Sequence, residues 1–267
     1  MSYFNRPFQL WRTLDSITKT KHTDVEIVIV DDASEPALCK PEGYPFPVHI
    51  IRIPKEKKDW KSPTVCQNLA LQKALDLGGE IIFSQNPECT HIGDVIMYAE
   101  EMLKDNGYIS FSCFSLDEEN TRNKDLDLAQ VIRENNVGAT YDGGNFFYNH
   151  PVHRAVAYDF CACTTRKNWL SLNGMDERFK DGIAYSDDNL VCRWKRLGLA
   201  LDIPHPEREW KDKIRNPFVV HLNHYNPNSS QYDNTPLVEK NRDLYNELGA
   251  DGSGNYRATH ILTPDLQ

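Results

Sequence analysis

Asp31 and Asp32, Glu88, and Asp187 and Asp188, followed by His221 and His224, stand at the ends of apolar runs or at the start of a helical pattern. Adjacent carboxylates repel unless one meets a donor, so Asp31-Asp32 at a strand end suits the N–H of a base or a ribose hydroxyl. Asp-Asp-Ala-Ser is equally good turn chemistry. Glu88 is a hard oxygen ligand of the kind that Mg2+ or Mn2+ takes, and neutral imidazoles such as His221 and His224 suit manganese-like ions. Asp187 and Asp188 open a helix, where a carboxylate caps the first turn and complements the macrodipole. At a pocket rim the same group can act as a general base.

The elements that must position these groups follow from patterning. Val25 to Val30 is β-branched and almost wholly apolar, a buried strand ending at Asp31, and Val48 to Ile53 is a second strand. Pro63 opens a helix to Leu77 that Gly78-Gly79 closes. The run from Glu80 stops at Gln85-Asn86-Pro87 and delivers Glu88 just past a strand end, where open α/β sheets bind ligands. Further on, the pattern predicts a helix over 93–105, a strand over Tyr108 to Phe114 and a surface helix within 117–136. A strand over 160–165 and a helix over 166–172 follow, then a helix from Asp187 to Leu197 closed by Gly198. Phe218 to Leu222 is the last strand, and a helix over 237–248 precedes a loose tail. Strand, helix, strand at this spacing predicts an α/β fold, one domain with a mainly parallel central sheet flanked by helices. The chain runs from Met1-Ser2-Tyr3-Phe4 straight into a helical pattern, so the first strand reads as truncated, which suits a module of a larger enzyme.

Composition sets limits. A net charge of -9 leaves no basic excess to neutralise phosphates and argues against a nucleic-acid partner. A phosphorylated small molecule remains compatible, because a divalent cation would supply the missing charge. No window approaches a transmembrane span, so membrane contact would be peripheral. Seven cysteines without CxxC spacing read as reduced thiols, hence a cytoplasmic protein. The stretch 137–157 is long and rich in aromatics and His; Tyr148, His150, His153 and Arg154 suit an acceptor wall or, equally, a loop folded over the core. Lys58, Trp60 and Lys61 lie in a basic loop that could reach a donor or simply be solvated.

Taken in order, these segments resemble the inverting family-2 glycosyltransferases of GT-A (Rossmann-like) fold. Phe4-Asn5-Arg6-Pro7 is similar to the family's "YNRP", and Val28 to Ser34 to its "VIVDDGS". Gln67-Asn68 resembles its "RN", Asn173 to Phe179 its "GGFDERF", and Tyr185 to Gly198 its "YEDxDLxxRxxxxG". The resemblance spans 2–225 and implies a GT-A domain over 1–250, with a nucleotide-sugar half over about 1–115, an acceptor half over about 116–225 and a tail over 251–267. It implies transfer from a nucleotide-diphosphate sugar, UDP-linked by preference, to a hydroxyl of a glycan or other acceptor, with Mn2+ or Mg2+ assisting, as in polysaccharide biosynthesis. By position, Phe4, Asn5, Arg6, Asp31, Asp32, Asn68, Gln85 and Asn86 would bind the donor. Glu88 with His221 and His224 would hold the metal, and Asp187, or its neighbour Asp188, would be the base. Three departures stand out: Gln85-Asn86-Pro87-Glu88 replaces DxD, Ser186 replaces the acid before the base, and the start of the first strand reads as missing. The single-carboxylate loop also admits a degenerate domain that binds a nucleotide sugar or glycan without turnover. A nucleotidyltransferase would want a Gly-rich phosphate loop that Asp31-Asp32-Ala33-Ser34 does not offer.

Overall fold

The computed structural model describes residues 1–135, 144–211, 214–224, 235–249 and 254–260. In order, the chain forms β1 (Ser2–Tyr3), α1 (Pro7–Ile17), β2 (Ile27–Asp31), β3 (Val48–Arg52), α2 (Thr64–Asp76), β4 (Ile81–Gln85), β5 (Cys89–Ile92) and α3 (Val95–Met102). Next come β6 (Gly107–Ser110), β7 (Cys113–Ser115), α4 (Glu118–Arg122), α5 (Leu128–Asn135), β8 (Phe146–Asn149), β9 (Cys161–Thr165) and α6 (Arg166–Leu172). The last elements are α7 (Ser186–Leu197), β10 (Ala200–Asp202), β11 (Glu209–Lys211), β12 (Ile214–Arg215), β13 (Phe218–His221) and α8 (Thr235–Glu247).

β1-β2-β3 is parallel throughout, with the two-residue β1 against Val30 and Asp31. β2 is buried on both faces, which is why its sequence is apolar at nearly every position. Ile27 and Ile29 meet α1 through Leu10, Leu14 and Ile17, while Val28 and Val30 meet α2 through Val65, Cys66 and Ala70. Burying side chains of this size contributes about 1.5–3 kcal/mol each. The order β10-β6-β9-β4 forms a second sheet in which β10 and β6 are parallel and β9 runs antiparallel to both β6 and β4. A third sheet, β5-β13-β7-β8, pairs β13 parallel to β7 and antiparallel to β5. The α/β class therefore holds, with reversed strands that the spacing did not announce.

Two local expectations change. The strand expected over Tyr108 to Phe114 is two strands in two sheets; the Phe111 amide still reaches Cys161 O (2.9 Å), while Ser112 turns its hydroxyl to Pro204 O (2.7 Å). Apolar residues continue across the break and conceal it. The tail is not loose over 254–260: Ala258 is buried and its amide donates to Leu172 O, and Thr259 O accepts from the Glu177 amide. Among the described residues, no helix is long and apolar enough to cross a membrane.

α7 is fixed from beneath by Arg193, which is buried and donates to Asn189 Oδ1 (2.8 Å), Leu172 O (3.1 Å) and Gly174 O (2.9 Å). Desolvation lowers its guanidinium to about 10 even beside Asp176, which still leaves it charged near neutrality. Ahead of α7, Ala184 and Tyr185 both take left-handed backbone at φ 62°. Such residues cost on the order of 1–3 kcal/mol each and need support. Asn241 of α8 gives it, donating to Ala184 O (2.9 Å) and Phe179 O (3.2 Å). It approaches Gly182 so closely that any side chain there would collide with it.

Candidate active site

A cavity of about 1040 Å³ collects the C-terminal end of β4, the loop to β5, the start of α7 and the end of β13. Its polar lining includes Arg6, Asp32, Glu88, Asp159, Asp187 and His221. Two carboxylate clusters face it.

The first is centred on Glu88, which is 2% exposed. Its Oε1 lies 3.3 Å from His221 Nε2 and 3.3 Å from His224 Nε2, while Oε2 lies 2.8 Å from Arg6 Nη1. Antiparallel pairing sets Cys89 opposite His221, and the Leu222 amide donates to Glu88 O, so strand register brings carboxylate and imidazole together. Burial alone would raise the Glu88 carboxyl; Arg6, with His221 and His224, outweighs it and holds the group well below the usual carboxylate range. Desolvation lowers His221, against the pull of Glu88, so it stands neutral. Arg6 Nη1 also lies 3.2 Å from His224 Nε2, so guanidinium, carboxylate and imidazole meet at one point. Glu88, His221 and His224 offer ligand atoms within 4.8 Å of one another. One hard oxygen and two imidazole nitrogens fit Mn2+ better than Mg2+, which prefers oxygen and gives up water reluctantly.

The second cluster is centred on Asp187, which is half-buried. Burial first, then the negative charges of Asp159 and Asp188, raise its carboxyl well above the ordinary value. Asp159 is 3% exposed and accepts from Ser84 Oγ (2.6 Å) and Gln67 Nε2 (3.1 Å) on one oxygen. Asp188 accepts the Tyr158 hydroxyl at 2.5 Å and does not line the cavity. Asp187 thus lies on the cavity with a raised carboxyl, and Asp188 lies off the cavity.

Other residues separate by face. Asp32 lines the cavity, held by Lys58 Nζ (2.7 Å) and by the indole N–H of buried Trp60 (3.0 Å). Asp31 falls on the opposite parity of β2 and is turned away. It accepts from the Ser34 amide (3.0 Å), the Leu38 amide (2.9 Å) and Arg52 (2.5 Å), a loop anchor rather than a ligand contact. Asn68 is likewise occupied: it donates to Met175 O and Glu177 Oε1 and accepts from the Met175 amide, clamping α2 to the 173–179 loop. Gly174 has no side chain because Asn68 Oδ1 fills that space. The neighbour Gln67 is the one that reaches the cavity. Phe4 and Arg6 line it, whereas Asn5 binds the loop at Ser34 and Glu35. Gln85 and Asn86 line it, with Gln85 bracing the turn through Cys89 O and His91.

Of the proposed acceptor wall, Tyr148 and Arg154 reach the cavity; Tyr148 stacks on Phe160, and its ring meets His221 edge-on at 5.1 Å. His150 is buried against Phe147, His153 and His205, its Nδ1 accepting from the Val152 and His153 amides, and His153 is exposed away from the cavity. Part of the expected wall, 137–143, falls on residues 136–143, outside the described residues. Sequence reasoning passed over Asp159, Ser84, Tyr158 and Asn241. The available signal was a carboxylate just before a strand, which matters only once that strand is known to run backwards.

No family model and no curated protein sequence matches the chain. Among solved structures it is similar to S. aureus TarS, a family-2 glycosyltransferase, at 10% identity and a TM-score of 0.52. The likeness covers 83% of this chain and 36% of that one, so this chain spans about a third of the neighbour's length. At that identity the likeness is one of fold: the chain has a GT-A-like, Rossmann-like fold.

Proposed function

We propose that the chain transfers a glycosyl group, with inversion, from a nucleoside-diphosphate sugar to an acceptor hydroxyl, and that the donor is UDP-linked. One observation carries this reading: a carboxylate with raised basicity, Asp187, and a cation-type ligand set, Glu88, His221 and His224, open onto one cavity in a GT-A-like fold. Asp32, with Lys58 and Gln67, would hold the nucleoside end of the donor. Tyr148 and Arg154 would orient the acceptor, since sugars lay an apolar face on aromatic rings. Asp187 takes the proton of the acceptor hydroxyl as that oxygen attacks the anomeric carbon from the side opposite the leaving diphosphate. Glu88, His221 and His224 would hold the cation, which when bound supplies positive charge to the departing diphosphate. Burial and the surrounding side chains keep the ligand atoms fixed before the donor arrives. Nucleotide-sugar hydrolysis and transfer, assayed across UDP-sugars with and without Mn2+, is expected to show Mn2+-stimulated release of UDP from at least one donor. Binding of donors with no turnover under any condition would favour the non-catalytic reading instead.

A second reading rests on Arg6. Its guanidinium already neutralises Glu88 at 2.8 Å and reaches His224 at 3.2 Å, so it can meet the diphosphate itself. On the cation-dependent reading, Arg6→Ala keeps Mn2+-stimulated turnover; on the arginine-dependent one, turnover is lost and Mn2+ does not restore it.

A further inference from the structure

Asp159 has no place in the sequence motifs, yet it is buried, lines the cavity and lies within hydrogen-bonding reach of Asp187. Two ionised carboxylates are both acceptors and cannot bond each other, so this contact exists only while one of them carries a proton. Ser84 and Gln67 both donate to Asp159 Oδ2, so Asp159 is engaged as an acceptor and Asp187 is the carboxyl left to donate across the contact. We propose that Asp159 is a positioning residue that forms a carboxyl–carboxylate pair with Asp187, so that the two hold one proton between them and titrate as a unit. The inference rests on Asp187 being the base of the proposed transfer.

The other charged or titratable groups near this pair give it little relief. Asp188 adds negative charge and is already bonded to Tyr158; Tyr108 and Tyr158 are both pushed up by burial and stay neutral. The Met1 amino group, lowered to about 6 by burial, stays largely uncharged at neutral pH. Arg154 spends one guanidinium nitrogen on Tyr148 O. The pair therefore sheds its shared proton only above the ordinary carboxylate range. Once it is shed, Asp187 accepts the acceptor's hydroxyl proton while the C–O bond to the diphosphate breaks with its electron pair, and Asp187 then returns the proton to solvent. The second carboxylate thus fixes the pH at which the base becomes available.

The test is a ¹³C titration of Asp carboxyl resonances in the whole chain, wild type against Asp159→Asn, alongside the pH profile of kcat/KM. The wild type is expected to show one carboxyl that keeps its proton well above the ordinary Asp value of about 4, and Asp159→Asn to lower that transition by about one pH unit or more. The rising limb of kcat/KM should move down by the same amount. Ser84→Ala is the second variant, for the case in which Asp159→Asn does not fold; removing that donor should visibly redistribute the shared proton onto Asp159. A wild-type Asp187 that titrates in the ordinary range, or titrations unchanged in both variants, would overturn the pairing. A shared-proton signal in a chain that transfers no sugar would preserve the pair and sink the base assignment, so the two failures are distinguishable.

Discussion

Glu88 and Asp187 are carboxylates on the same cavity, both desolvated by the fold, and their acidities move in opposite directions. Burial pushes both upward, so burial does not distinguish them. Neighbours do: Glu88 has a guanidinium at 2.8 Å and two imidazole nitrogens at 3.3 Å, whereas Asp187 faces two further carboxylates. One fold thereby keeps a carboxylate of lowered pKa and one of raised pKa in one cavity, the separation expected where two carboxylates have different tasks.

The largest effect should come from removing the acceptor of the proton. Asp187→Asn is expected to lower kcat by about 10²–10⁴ while leaving donor binding close to wild type. Because it also removes charge repulsion with Asp159, the variant should melt at a higher temperature than wild type at neutral pH. Single-turnover transfer, nucleotide calorimetry and a thermal melt read these three quantities; retained turnover would move the base elsewhere. Glu88→Gln should behave oppositely. It is expected to weaken Mn2+-supported UDP binding roughly 10–100-fold, since even outer-shell partners of metal ligands are worth that much. It should also destabilise the chain by about 1.5–3 kcal/mol, the range for hydrogen bonds to charged groups. Unchanged Mn2+ dependence would take Glu88 out of the cation site.

The comparison also explains what could be read from the sequence. β2, α2, β4 and α7 were legible because their apolar periods, Pro63 and the closing Gly78 and Gly198 act locally, and His221 was legible as the end of an apolar strand. Side-chain direction was not. Asp31 ends a doubly buried strand and Asp32 follows it, so hydrophobicity on neither face reveals that Asp31 turns into a loop and Asp32 into the cavity. Gln67 and Asn68 differ in the same way on α2. Asp159 was hidden for a topological reason. In a parallel sheet only the strand ends matter, but β9 runs antiparallel, with Cys161 opposite Gln85, and this carries the residues before it to the Glu88 end of β4. His150 was misplaced because a His-rich loop packs its rings inward as readily as outward, and burial lowers this one to about 4.

The smallest effect separates the two carboxylates most cleanly, because it depends on the sign of each shift and needs no substrate. A carboxyl raised in the fold, as Asp187 is, favours folding where it is protonated, and that contribution is lost as pH rises through its folded pKa. A carboxyl held low, as Glu88 is, favours folding above its unfolded pKa, and the contribution is lost as pH falls through its folded value. At neutral pH the stability of Asp187→Asn should lie above wild type and that of Glu88→Gln below it. On acidification the Asp187→Asn advantage should begin to shrink first, at the raised folded value, and be gone near the unfolded one, where Asp187 is neutral in both states. The Glu88→Gln deficit should hold down to the unfolded carboxylate value and shrink only below it, until Glu88 itself takes a proton. Urea midpoints from pH 3 to 8 for the three proteins measure this. Curves that converge together would mean that neighbours do not set these acidities and that burial alone does.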